Sequence, residues 1–252
     1  MQVHFLPVLN DNYAFLIQEE REVIIIDPPI NLCSLLESQN LWPVAIFNTH
    51  HHFDHIDGNS ALFKKYPHLS IFGGQYDVDQ NRIPYATRGL GDGEEIHIKN
   101  YKVRSYHVPG HTLGHMLYEF THKILNTQHI FCGDLLFGAG CGRVLEGSFK
   151  EQAPQLFQSL NILKSFDDSI PIWCAHEYTQ KNIEFSLRLI PEDIPLQKRH
   201  STLSIPSVPL NLAIEKESNL FLRCDDLYLQ KYFKQPDSLS LFCFLRTQRN
   251  NF

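Results

Sequence analysis

Apolar and polar positions divide the chain into a strand-rich first part and a helix-rich last part. Short β-rich segments over 3–8, 13–18 and 22–26 are separated by the turn formers Asn10-Asp11-Asn12 and Glu19-Glu20-Arg21. The pattern then predicts a short helix over 31–39 and a buried strand over 44–48 that runs into Thr49. Asp57-Gly58-Asn59-Ser60 offers N-cap chemistry for a helix reaching Lys65. Alternation over 101–108 suits a half-buried strand, and 116–120 and 130–132 suit two more. After Gly147 the period changes. Apolar spacing over 149–164 predicts a helix, and 170–174 a short strand. Helical spacing recurs over 182–189, 210–216 and 227–233, with Pro191, Pro195, Pro206 and Pro209 interrupting the region between. The expectation is an α/β domain over residues 1–175 followed by a small helical domain over 176–252.

Composition narrows the class without naming it. With 252 residues, 43% hydrophobic and 20% charged, the chain has the make-up of a globular protein with a real core. A net charge of −6 argues against a nucleic-acid partner, which calls for a basic excess or stripe. It also means that an anionic substrate would need a local cluster of Arg or Lys. Met1-Gln2-Val3-His4-Phe5-Leu6-Pro7 lacks the basic start and apolar run of a signal peptide. No apolar stretch approaches the ~20 residues that span a bilayer, so no membrane partner is expected. The six cysteines, at 33, 132, 141, 174, 224 and 243, form no CxxC pair and read as reduced thiols of a cytoplasmic protein. A monomer is the expected state.

The chemistry is concentrated in Thr49-His50-His51-His52-Phe53-Asp54-His55, where only Phe53 among residues 50–55 cannot bind a metal. In an extended segment His50, His52 and Asp54 would point the same way, because strand side chains alternate. A turn into the helix capped by Asp57 would swing His55 toward the same point. Four ligands from six consecutive residues would strain a single ion, so the pattern fits two. A histidine-rich surface loop is the plain alternative, and the apolar strand before it and the capped helix after it argue against that. Three further candidates stand at strand ends: His111 in Pro109-Gly110-His111-Thr112, Asp134 after Cys132-Gly133, and His176 after Cys174-Ala175. Cys132 and Cys174 each precede such a candidate by two residues and could be ligands, although packing is the better reading for buried thiols.

These motifs resemble the metallo-β-lactamase superfamily, whose signature is T-H-x-H-x-D-H, and within it the glyoxalase II, or hydroxyacylglutathione hydrolase, family. The resemblance runs through Asn12-Tyr13, Asp27-Pro28, Gly110-His111-Thr112, Gly133-Asp134, Ala139-Gly140-Cys141-Gly142-Arg143 and His176-Glu177-Tyr178-Thr179. It ends in Phe221-Leu222-Arg223 and Leu245-Arg246-Thr247-Gln248-Arg249. It implies an αββα sandwich with two divalent ions at one edge, most simply zinc, with iron or manganese also compatible. His50, His52 and His111 would hold one ion, and Asp54, His55 and His176 the other. Asp134 would bridge them, and Asp27 would orient a ligand by hydrogen bonding. His51 and His115 are not ligands in the family. The implied reaction is hydrolysis of S-D-lactoylglutathione to D-lactate and glutathione, the second step of methylglyoxal detoxification. Asp54 and Asp134 would serve catalysis through the hydroxide between the ions. Arg143, Tyr178, Asn182, Arg246 and Arg249 would contact glutathione, making 176–252 a glutathione-binding domain.

The chain departs from the family at Leu145, where a Tyr is common, and at Arg249-Asn250, where Lys-Asp is usual. The first change bears on substrate affinity more than on the metal chemistry. A one-iron persulfide dioxygenase would share the scaffold without needing Asp54, His55 and His176 together. A lactonase or β-lactamase leaves the basic C-terminal tail unexplained. A non-catalytic metal or glutathione sensor would be marked by a lost ligand, and none of the seven is missing.

Overall fold

A computed structural model describes residues 2–252. Met1, the first residue of the N-terminal segment read above, lies outside them. One sheet runs β1 (Gln2–Val8), β2 (Asn12–Glu19), β3 (Glu22–Ile26), β4 (Trp42–Phe47), β5 (Ser70–Gly74) and β6 (Arg88–Leu90). Its first three strands pair antiparallel and the remaining pairs are parallel. The antiparallel strands β7 (Glu95–Ile98), β8 (Tyr101–His107), β9 (Met116–His122) and β10 (Gln128–Gly133) build a second sheet. β11 (Leu136–Phe137) and β12 (Gly140–Cys141) form a short hairpin of their own, and β13 (Ile172–Cys174) follows later in the chain.

The chain divides into two compact units: Met1–His107 with Gly114–Gly133, and Val108–Leu113 with Asp134–Phe252. In the first unit the middle strands of the mixed sheet are buried along nearly their whole length. That is the pattern of strands covered on both faces. One face packs on Leu32, Leu36, Leu62, Leu69 and Ile83. From the other, Phe15 meets Phe131 and Phe47 meets Tyr118 and Phe120, at ring separations of 5.1–5.5 Å, so the two sheets face each other across aromatic side chains.

The helix expected to follow Asp57 is Asn59–Lys65, and a separate short helix, Phe53–Ile56, stands before it. Asp57 closes the first, and Gly58 precedes the second with no side-chain cap. Only glycine fits there, since a Cβ would stand 2.2 Å from the Ile30 carbonyl oxygen and 2.8 Å from that of Pro28.

The second unit is mainly helical. Phe149–Lys164 spans the residues its apolar spacing predicts, and Ser148 caps it by accepting from the Glu151 amide. Thr179–Leu189, Leu212–Ser218 and Leu227–Tyr232 lie near their expected places. Ile194–Ser201 and Ser238–Asn250 are helices that the pattern reading did not anticipate. Among the described residues no helix is long and apolar enough to cross a membrane.

Candidate metal centre

In the first unit β4 ends at Phe47 and releases the histidine segment at its carboxyl end, where open α/β sheets place their ligands. The segment is held from several directions. The Tyr118 hydroxyl donates to the Asn48 carbonyl at 2.8 Å, and the Met116 amide to the Thr49 carbonyl at 2.7 Å. Asn48 Nδ2 donates to the His55 carbonyl at 2.8 Å, closing the loop on itself.

This unit brings His50, His52, Asp54 and His55 together. His50 Nε2 lies 2.9 Å from His52 Nδ1, and the His50 and His55 rings are 4.0 Å apart. The period-two expectation fails for Asp54. His52 is still extended, but Asp54 sits in the first turn of Phe53–Ile56, so a helical turn and not strand alternation presents it beside His55. Asn12 Nδ2 holds Asp54 Oδ2 at 3.0 Å. His51 points elsewhere, its Nδ1 3.0 Å from the buried Asp77 carboxylate, and His115 stacks on His50 at 4.8 Å.

Asp27 is the keystone of this half. Its Oδ1 accepts the Thr49 amide at 2.7 Å, and its Oδ2 accepts the Thr49 hydroxyl at 2.6 Å and His55 Nδ1 at 3.0 Å. With the Thr49 proton on Asp27, Thr49 Oγ1 is an acceptor for His50 Nδ1, 3.1 Å away. Both rings therefore carry their proton on Nδ1, a tautomer assigned from hydrogen bonding, and turn a lone pair outward at Nε2.

The second unit brings His111, Asp134 and His176 together. Asp134 Oδ2 is 3.3 Å from His111 Nε2, and Oδ1 is 3.4 Å from His176 Nε2, one oxygen for each ring. His111 Nδ1 donates to the Arg143 carbonyl at 2.8 Å, which turns Nε2 toward Asp134. Gly110, at φ +131°, makes the bend before it, and a side chain there would collide with Leu156. The His176 ring stacks on Tyr178 at 5.0 Å.

Imidazoles whose second nitrogen is pinned by a carboxylate, a hydroxyl or a carbonyl are the hallmark of metal-ligating histidines. Ligand type and outer partners thus fit a divalent ion, and the chain carries His and Asp clusters able to hold metal. Cys132 and Cys174 are fully buried, as packing residues are.

Five residues expected at the substrate also fall in the second unit. Arg249 Nε donates to Asn182 Oδ1 at 3.1 Å. Arg246 is only 3% exposed, and its Nη1 donates to the Cys141 and Gly142 carbonyls at 2.8 and 3.2 Å. Arg143 is exposed and Tyr178 half-buried. Burial lowers the pKa of Arg249, and the charges of Arg246 and Arg143 lower it further. Among the described residues none of these three arginines forms an ion pair with a carboxylate. Asn12 is a site residue whose role the spacing did not reveal; only its place in the Asn12-Tyr13 motif pointed to it.

Residues 9–176 match the family model described as the metallo-beta-lactamase superfamily, and residues 177–252 that of the hydroxyacylglutathione hydrolase C-terminus. ETHE1 from Myxococcus xanthus superposes with a TM-score of 0.69 at 20% identity, over 99% of this chain and 92% of that one. TTHA1623, solved in a di-iron-bound form, superposes with a TM-score of 0.55 at 25% identity, over 70% of this chain and 92% of its own. Sheets, helices and ligand clusters together are those of the metallo-β-lactamase fold. Relatives named hydroxyacylglutathione hydrolase from Cyanothece sp. and Trichodesmium erythraeum are 38% and 37% identical over the whole of both chains. The chain belongs to the hydroxyacylglutathione hydrolase family.

Proposed function

We propose that the protein hydrolyses S-D-lactoylglutathione and related 2-hydroxyacylglutathione thioesters to the 2-hydroxy acid and glutathione, with two divalent ions per chain. The observation that carries this reading is the Asp134 carboxylate, which offers one oxygen to His111 and the other to His176, as a bridging ligand would. The first unit supplies His50, His52, Asp54 and His55 and the second His111, Asp134 and His176, enough metal-ligating side chains for two ions. Imidazole and carboxylate suit zinc first, and iron or manganese as well. The di-iron form of TTHA1623 supports a two-ion count.

When bound, the ions supply an activated water near neutral pH and a Lewis acid for the thioester carbonyl. The rest is done by the chain. Asp27 and Thr49 hold the His55 and His50 imidazoles of the first unit in one orientation, and the Arg143 carbonyl holds that of His111 in the second. Asp54, steadied by Asn12, presents a carboxylate that orients the attacking water. The departing thiolate is a weak enough base to leave without a protein acid. Glutathione brings two carboxylates, and Arg143, Arg246 and Arg249 supply positive charge that no acidic side chain cancels. Tyr178 and Asn182 add hydrogen-bonding groups. Residues 1–175 are then the catalytic domain and 176–252 the glutathione-binding domain. Leu145, exposed where relatives commonly have Tyr, leaves one substrate contact out. We place the enzyme in the cytoplasm as a monomer, since among the described residues its six cysteines form no disulfide.

The test follows loss of thioester absorbance from S-D-lactoylglutathione, with metal content measured on the same sample. Turnover with two metals per chain supports the reading. Two metals without turnover would reject the substrate. One iron with oxygen uptake would move the protein to the dioxygenases.

A further inference from the structure

Glu215 has no solvent contact, yet it is an acid and far in sequence from the candidate ligands. Its Oε2 accepts the Ala139 amide at 3.0 Å and Asn219 Nδ2 at 3.1 Å. Its Oε1 accepts from Arg199, a guanidinium only 10% exposed that also donates to Ser218 Oγ. A buried carboxylate is tolerated only when paired and fully hydrogen-bonded, and this one is both.

The other arms of the network converge on one target, the β11–β12 hairpin. Asn219 Nδ2 donates also to the Gly140 carbonyl at 3.0 Å, and Asn182 Nδ2 to that of Gly138 at 3.0 Å. Arg246 takes the carbonyls of Cys141 and Gly142. Two-residue strands have too few ladder bonds to hold themselves. Ala139 moreover sits at φ +54°, a conformation that a side chain disfavours. The hairpin's shape is therefore imposed from outside. What it delivers is Arg143, whose side chain is exposed and whose carbonyl fixes His111.

We propose that Glu215, with Arg199 as its counter-ion, is a positioning residue that clamps the hairpin so that Arg143 meets the substrate and its carbonyl orients His111. Among the described residues the Glu215 carboxylate bonds only to Ala139, Arg199 and Asn219, none of them a proposed ligand. The inference rests on the proposed function for its substrate, though not for the clamp itself.

The test compares the metal-loaded full chain with Glu215→Gln and Arg199→Lys. Glu215→Gln keeps the volume and removes the charge, and Arg199→Lys keeps the charge and removes the fork. Hydrogen exchange of the 136–142 amides, KM and kcat for S-D-lactoylglutathione, and glutathione affinity are read together. Both variants should exchange faster at the Ala139 amide. KM should rise about tenfold with kcat held within about threefold, the pattern of a lost binding contact made equally in ground and transition states. Unchanged hairpin exchange in either folded variant would overturn the clamp. A loss of kcat with KM unchanged would overturn its role toward the substrate. A wild type that exchanges as expected but leaves the thioester intact would reject the proposed substrate alone, since exchange and glutathione affinity do not depend on turnover.

Discussion

One carboxylate oxygen, Asp27 Oδ2, lies 3.0 Å from His55 Nδ1 and 2.6 Å from the Thr49 hydroxyl, so it fixes both a ring and the loop that carries it. Asp27 does this from φ +47°, a left-handed conformation that is costly for a residue with a side chain. Three hydrogen bonds to two neighbours over-determine that geometry and hold it. Asp27→Ala frees the His55 ring and removes the acceptor that makes Thr49 available to His50. Metal affinity is expected to fall about 10–100-fold. Competition against a chromophoric chelator measures it, and an unchanged affinity would mean that other contacts orient His55.

Asp134 differs from Asp27 in kind, because its two oxygens face the Nε2 atoms of two imidazoles. Asp134→Ala is expected to lower metal content below two per chain after dialysis and to abolish thioester hydrolysis. Circular dichroism and metal analysis on one preparation separate this from misfolding. Full retention of both metal and turnover would remove Asp134 from the centre.

What could be read along the chain was whatever depends on neighbours in sequence. Helix Phe149–Lys164 was legible because its apolar spacing and its Ser148 cap are local. The ligands at 50–55 were legible by density of side-chain type alone. Their geometry was not: the short helix Phe53–Ile56 replaces the extended run, and no periodicity marks a helix of four residues. Ile194–Ser201 is obscured by Pro195, which reads as a breaker along the chain but sits in the first helical turn, where proline is tolerated. β5 carries two glycines and earns its place only by pairing with β4 and β6. Asn12 on Asp54 and Glu215 on Ala139 join residues 42 and 76 positions apart, which no local pattern encodes.

Arg246 and Arg249 stand three residues apart and face different work. Arg249 is half-buried, with Nε on Asn182, whereas Arg246 satisfies two main-chain carbonyls in the interior. Arg249→Ala is expected to raise KM for glutathione thioesters about tenfold and to spare a small uncharged thioester. Its folding stability should change by less than about 1 kcal/mol. Arg246→Ala strands the buried Cys141 and Gly142 carbonyls, so it should cost about 2–4 kcal/mol in urea unfolding as well as raising KM. Equal stability losses in the two variants would contradict this division.

His129, on β10, is held neutral by burial, which pulls its pKa from 6.5 down to about 4. The unfolded chain binds a proton at this residue below pH 6.5, while the folded chain resists doing so until about pH 4. Protons therefore favour the unfolded state inside that window. The stabilising contribution is complete above the unfolded value, is lost as pH falls through the window, and stays level below it. His129→Gln removes the titration while keeping a polar side chain. Melting temperatures of the wild type and the variant, measured from pH 7 to pH 4, are expected to diverge, with the wild type falling more steeply by a few degrees. Parallel profiles would show that His129 reaches water in the folded protein and contributes nothing to acid sensitivity.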